Sequence, residues 1–150
     1  MTRELTREYL EEIGFKDVYN WFGNWYIFRY WYNSGGKVKE YKRINVRNAT
    51  CKHKYTHDKY YPILTISLGH GKSYSITLSK FLYAWFRGCV PAGMDVDHKD
   101  NDPFNNYISE DPDDPKNNLQ LLTRKDNINK RLKDNPEAWI NQHGKKKKKD

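Results

Sequence analysis

Apolar and polar positions change rhythm several times along this chain of 150 residues. Leu5, Tyr9 and Ile13 recur every four residues among polar neighbours and Gly14 follows, so Thr2–Ile13 is predicted to be a short helix. Trp25–Tyr32 is aromatic and β-branched, and Asn33-Ser34-Gly35-Gly36 behind it is strong turn chemistry. A strand over Lys37–Val46 completes a hairpin with one apolar face. Asn48–Tyr61 is polar and aromatic without a period, which reads as a loop able to touch phosphates. Pro62–Leu68 and Ser73–Leu78 flank Gly69-His70-Gly71-Lys72 as a second hairpin. Ser79 is then expected to cap a helix over Lys80–Arg87 that Gly88 closes, with Phe81, Leu82, Trp85 and Phe86 at the spacing of a buried face.

The second half has a different grain. A short apolar run ends in Asp97-His98 and opens a polar, Asn-rich loop; Leu119–Leu122 is a further strand. Thr123 followed by Asp126 is a capping-box-like start, with Asp in place of Glu or Gln, for a helix over Asp126–Leu132. Asn135-Pro136 breaks that helix, Pro136–Ile140 begins a short last one with Trp139 packing back, and Lys145–Lys149 belong to a tail. The expected class is α+β. Residues 1–72 form an N-terminal antiparallel β-hairpin region with short helices, 73–134 a strand–loop–strand–helix unit with its upstream helix, and 135–150 a short helix and basic tail.

Composition narrows the partner. The formal net charge is +8 with 27 Lys plus Arg, and the chain stays basic without the terminal lysines, which favours nucleic acid over a membrane surface. Aromatics are 15% of the residues; most are expected in the core, and others can pack a ring while keeping a hydroxyl wet. Cys51 and Cys89 form no C-x-x-C pair, which argues against a structural zinc and fits a reducing compartment. His53 and His57 lack acidic or Cys companions and read as surface histidines. With no secretory signal and no apolar run of membrane length, the chain is expected to be cytoplasmic, as a monomer or homodimer.

The residues around Asp97 suggest a reaction. Hydrolysing a phosphodiester needs an activated water, a base and a cation to absorb charge on the phosphate. A hard cation such as Mg²⁺ needs few protein ligands when the substrate supplies phosphate oxygens, and Asp97 and Asn127 can be those ligands. His98 is the natural base, because an imidazole pKa near ~6.5 leaves it neutral at working pH. A carbonyl oxygen from Asn118 can hold its other nitrogen.

Asp97-His98, the Asn-rich loop, Asn118-Leu119 and the capped helix carrying Asn127 together resemble the HNH motif, the ββα-metal fold of phage-type homing endonucleases, over roughly Ile63–Arg131. The resemblance implies Mg²⁺-dependent cleavage of double-stranded DNA, with Mn²⁺ able to substitute. Its roles agree with those above: His98 and Asn118 catalytic, Asp97 and Asn127 on the metal. The gap from His98 to Asn118 exceeds that of the compact motif through an insertion at Tyr107–Asp114, so Asn105, Asn106 and Asn117 are rivals for the middle position. DNA contacts are expected from Lys37, Lys39, Lys42, Arg43 and Arg47, on a β-ribbon along a groove or on a merely solvated strand, and from Lys130 and Arg131 near the site. The alternative is a basic DNA-binding or packaging-associated protein whose HNH-like fold is inactive.

Overall fold

A corner begins the fold in the computed structural model, which describes residues 4–51 and 59–134. Thr6 ends a two-residue strand, β1 (Leu5–Thr6), and its hydroxyl accepts the Tyr9 amide at 3.1 Å, capping α1 (Arg7–Glu12). The helix is therefore shorter than the predicted Thr2–Ile13. Gly14 follows at φ 113°, and a Cβ there would stand 2.3 Å from the Tyr30 carbonyl oxygen. Only glycine allows that approach, and its own carbonyl accepts the Tyr30 amide at 2.8 Å.

Three antiparallel strands follow in the order β2 (Phe15–Trp21), β3 (Asn24–Tyr32) and β4 (Val38–Arg43). β2 has no counterpart among the expected elements because only Phe15 of its side chains is buried. It is joined to β3 by Phe22-Gly23, both at positive φ, as a tight hairpin turn requires. β4 stops at Arg43 and not at Val46, because Ile44 and Val46 turn inward against the core. A second sheet has the order β5 (Arg47–Cys51), β6 (Lys59–Gly69) and β7 (Lys72–Thr77). Much of the expected loop over Asn48–Tyr61 is thus strand: backbone pairing runs from Arg47↔Ile63 to Cys51↔Lys59 and needs no apolar rhythm. His53 and His57 lie outside the described residues.

The central helix α2 (Leu78–Arg87) is capped by Thr77, whose hydroxyl accepts the Lys80 amide at 3.2 Å. Thr77 has the extended backbone a cap needs, whereas Ser79 already sits in the first turn, so the cap falls before the expected Ser79. Gly88 closes the helix in the left-handed conformation, as expected. After β8 (Cys89–Val90), paired with β1, come β9 (Met94–His98) and β10 (Leu119–Thr123), an antiparallel pair, and α3 (Arg124–Asp134). Thr123 accepts the Asp126 amide at 3.1 Å, so α3 starts at the expected cap. The expected last helix, Trp139 and the lysine tail lie outside the described residues.

The fold is α+β, mostly strand, with three short helices among the described residues. Its core is one cluster around the buried face of α2. Phe81 meets Phe15 edge-on at 4.9 Å, Trp25 lies against Phe86, and Leu64, Ile66, Val90 and Leu119 come from further strands. The boundary placed after residue 72 falls just inside β7, and both strands of that hairpin pack on α2. Among the described residues no helix is long and apolar enough to cross a membrane.

Phe81 is fully buried in the core cluster, edge-on to Phe15 of the first sheet. Phe81→Ala is expected to lower unfolding free energy by about 3–5 kcal/mol. Exposed Lys16→Ala should stay within about 0.5 kcal/mol of wild type. Urea denaturation followed by tryptophan fluorescence measures both, and similar losses in the two variants would contradict this placement of the core.

Candidate functional site

Strand register sets the site. In the β9–β10 pair, His98 stands opposite Leu119, Asp97 opposite Gln120 and Asp95 opposite Leu122. Leu119 is buried in the core, which anchors the end of β9 that carries His98. The first turns of α3 then bring Asn127 and Lys130 over the same strand: Asn127 Nδ2 donates to Asp95 Oδ2 at 3.2 Å, and Lys130 Nζ lies 3.3 Å from Asp97 Oδ2.

His98 is held by Asn106, whose Oδ1 is 2.7 Å from Nε2. The direction of that bond follows from its surroundings. Asn106 is buried and spends its Nδ2 on the Pro103 carbonyl at 3.0 Å, so Oδ1 is the atom facing the ring. Nε2 must then carry the proton, and Nδ1 of a neutral His98 is left with the lone pair. Asn106 is one of the rivals for the middle position, and it is the one touching the imidazole.

Asn118 does something else. Its buried side chain donates to Asp100 Oδ1 at 2.9 Å and to the Asn105 carbonyl at 2.7 Å, and accepts from the Asp100 amide at 3.2 Å. Its backbone carbonyl accepts the Lys99 amide at 2.8 Å. Asn118 thus clamps both ends of the loop that presents His98 and Asn106. Asn117 does the same for the inserted segment, accepting from the Ser109 amide and donating to the Asp111 carbonyl, both at 2.8 Å. That segment is tied to α2 by Arg87, which donates to the Ser109 carbonyl at 2.7 Å, and plugged into the core by Ile108.

The arrangement opens on a cleft of about 510 Å³ between β6–β7, the start of α2 and β9, lined by Lys80, Asp95, His98, Asn106 and Asn127 among others. Burial holds the Lys80 ammonium below its ordinary pKa, with Asp95 opposing that shift. Asp97 does not line this cleft; Gln120 donates to the same Oδ2 that Lys130 approaches, at 2.8 Å. Lys130 also reaches the His98 carbonyl at 3.3 Å and the side chain of Asn101.

Oxygen donors suited to a hard cation are therefore carboxylates of Asp97 and Asp95 and the amide oxygen of Asn127, whose nitrogen is the atom turned to Asp95. Among the described residues no three His, Cys, Asp or Glu side chains gather into a closed cage. This set fits an ion that takes one or two protein oxygens and completes its shell with phosphate and water. Asp95, Gln120 and Lys80 carry no mark of a site in the sequence motif. The period-two rule could have found Asp95, since it lies on the same strand face as Asp97.

The candidate DNA-contacting residues divide between two sheets. Lys37 and Lys39 are exposed at the start of β4, Lys42 pairs with Glu40 at 2.9 Å, and Arg43 lies over the Tyr26 ring at 4.1 Å. Arg47 opens β5 in the other sheet, within 3.5 Å of the Thr65 and Ser75 hydroxyls. Arg131 is exposed on α3.

Removing the Asn118 clamp leaves buried partners unsatisfied, so Asn118→Ala should destabilise the fold by about 1–3 kcal/mol. Asp100 adds a pH signature. Hydrogen bonds from the Asn105 side chain first, then the Asp102 amide and Asn118, hold its carboxyl below the ordinary range against an opposing desolvation. The unfolded chain therefore binds this proton more readily. The stabilisation is complete above the ordinary aspartate pKa of about 3.9 and is lost as pH falls through the lower folded value. Acid titration of stability should show a shallower fall for Asn118→Ala than for wild type; parallel curves would mean that Asn118 does not support Asp100.

Compared with protein-family models, curated proteins and solved structures, the chain matches none, and the reading of the site rests on the geometry above.

Proposed function

We propose that this chain is a divalent-metal-dependent DNA endonuclease whose β9–loop–β10–α3 unit acts as a ββα-metal, HNH-type module. The observation carrying the reading is the convergence on one strand end of an amide-oriented His98, the carboxylates Asp95 and Asp97, and Asn127 and Lys130 from α3. A histidine whose Nε2 is committed to Asn106 can accept a proton from water at Nδ1. A Mg²⁺ or Mn²⁺ ion held by Asp97 and Asn127 would supply positive charge to the phosphate and to the leaving oxygen. Asn118 is assigned to positioning, since it shapes the loop that carries both His98 and Asn106. Lys130, already drawn to Asp97, and Arg131 beside it supply cations to neighbouring phosphates. Double-stranded DNA is the substrate, with the exposed Lys37, Lys39, Lys42, Arg43 and Arg47 adding non-specific affinity.

One observation favours a second reading. Lys130 and Gln120 both bind Oδ2 of Asp97, so an ammonium already neutralises the expected metal ligand. A basic DNA-binding protein with an inactive module of this shape would look the same.

Supercoiled plasmid with Mg²⁺ separates the two. Wild type should nick or linearise it, EDTA should stop cleavage, and Mg²⁺ or Mn²⁺ should restore it. His98→Ala should cut at least ~100-fold more slowly while binding duplex as wild type does. Asp97→Ala and Asn127→Ala should not regain full activity at high Mg²⁺. No cleavage by wild type under any divalent ion favours the inactive reading. Cleavage by His98→Ala at the wild-type rate removes His98 from the mechanism.

Reversing Lys37, Lys39 and Lys42 to Glu should weaken binding to all duplexes. It should also flatten the dependence of log K on log salt by roughly one unit for each phosphate no longer neutralised. An unchanged slope would show that these lysines face solvent only.

A further inference from the structure

We propose that the outer face of the β2–β3–β4 sheet is a stacking platform for single-stranded nucleic acid, separate from the cleft at His98. Register pairs define the face. Tyr19 stands opposite Tyr26, Asp17 opposite Phe28, and Phe28 opposite Arg43; Tyr30 stands opposite Tyr41, and Trp21 opposite Asn24. Along β3 the alternate residues Trp25, Ile27 and Arg29 are buried, so Tyr26, Phe28 and Tyr30 lie on the side turned away from α2.

The rings on this side form a continuous row. Tyr19 stacks on Tyr26 at 5.3 Å, Phe28 on Tyr41 at 5.4 Å, and Tyr30 lies 4.6 Å from Tyr41. The inner rings hold the outer ones in fixed orientations, so little freedom remains to be lost on binding. The outer members stay open to solvent: Tyr19 is 46% and Tyr41 43% exposed. At the β2–β3 tip Trp21 is 59% and Phe22 87% exposed, the two packed edge-on at 4.9 Å. Phe22 holds this position at φ 50°, a left-handed conformation that a turn would ordinarily give to Asn or Gly.

Charge on and around the row selects the occupant. Arg43 lies over the Tyr26 ring at 4.1 Å, and Lys37 and Lys39 are exposed at the rim. The nearby acids are engaged, Asp17 by the Tyr41 hydroxyl and Glu40 by Lys42. Desolvation, together with contact with Asp17, pushes the Tyr41 phenol up to about 12, so it stays neutral beside a polyanion. Aromatic faces with a cationic rim match bases and phosphates together. A duplex keeps its bases stacked on one another and offers only their edges, and its major groove admits a two-stranded ribbon more readily than a three-stranded sheet. A single strand can present the base faces themselves.

The test is binding in EDTA, where no cleavage is possible, so its outcome does not depend on the nuclease reading. A labelled oligothymidylate and a duplex of equal length are titrated with the full chain. Wild type should bind the single strand more tightly and show quenched tryptophan emission. Trp21→Ala and Tyr19→Ala should each weaken single-strand binding by about ten-fold or more, with duplex binding little changed. Phe22→Asn guards against misfolding, because Asn suits the positive φ; it should melt no lower than wild type and still lose single-strand affinity. Equal affinity of wild type for both substrates, or unchanged single-strand binding in all three variants, overturns the proposal. So does a concentration-dependent dimer in sedimentation that Tyr19→Ala abolishes, which would make a second copy the occupant of this face.

Discussion

Helix α2 must hide one side, and the rest of the molecule is arranged to let it. Leu78, Phe81, Leu82, Ala84 and Trp85 are buried, and the residues covering them come from α1, from strands of both three-stranded sheets, and from β8 and β10. Burying each large side chain is worth about 1.5–3 kcal/mol, so this helix makes a large local contribution to stability. It also acts as a ruler. Its N-terminus at Thr77 opens onto the cleft and its C-terminus at Gly88 feeds the short β1–β8 pair. Leu119, seated in the same core, then fixes β10 and through it the end of β9.

What α2 does for the framework, asparagines do for the loop between β9 and β10. Such a loop has little apolar surface to bury, so its shape has to come from hydrogen bonds that remain protected from water. Asn106, Asn117 and Asn118 are all buried, and each uses both its donor and its acceptor on loop atoms or on His98. A side chain with both functions can donate to one backbone carbonyl while accepting from another backbone amide, which neither a carboxylate nor an ammonium can do. The consequence reaches the imidazole. Because the Asn106 amide is oriented by Pro103, the tautomer of His98 is set before any substrate arrives. Positioning of this kind suits the general base proposed for His98.

Much of this could be read from sequence, for identifiable reasons. The α2 helix, the β6–β7 hairpin and the strand before Asn33 have strong apolar rhythm or turn chemistry, and all three are present within a few residues of their expected limits. Thr123 announces α3 correctly because a cap is a local event. β2 and β5 leave no such trace, because strand pairing satisfies backbone groups whatever the side chains do, and β2 carries only one buried side chain by which to be recognised. At the site, His98 and Asn127 line one cleft, but the pairings around them are not legible in the motif. Asn127 turns to Asp95 and not to Asp97, and His98 turns to Asn106, because loop folding and strand twist decide these contacts over distances that sequence spacing does not encode. Arg47 shows the same limit: four residues beyond Arg43, it belongs to another sheet.

The two faces of the first sheet show how unevenly polarity is distributed. Its inner side contains Arg29, a nearly buried cation whose Nε donates to the Ile13 carbonyl at 3.0 Å and whose guanidinium packs over Trp31 at 4.2 Å. Burial lowers its pKa, and its Nη1 is buried without a hydrogen-bond partner. A hydrophobic side chain of similar volume would avoid that desolvation cost. The outer side is the reverse, tyrosine and phenylalanine where a solvated sheet ordinarily carries polar residues. Arg29 has a local reason: Gly14, brought against the Tyr30 backbone, leaves the end of α1 beside β3, and the guanidinium satisfies the carbonyl at Ile13. The rings on the opposite side have no such reason, since among the described residues Tyr19, Tyr26, Phe28, Tyr30 and Tyr41 lie outside the buried cluster. Exposed aromatic surface outside the core is the observation on which the single-strand platform is proposed.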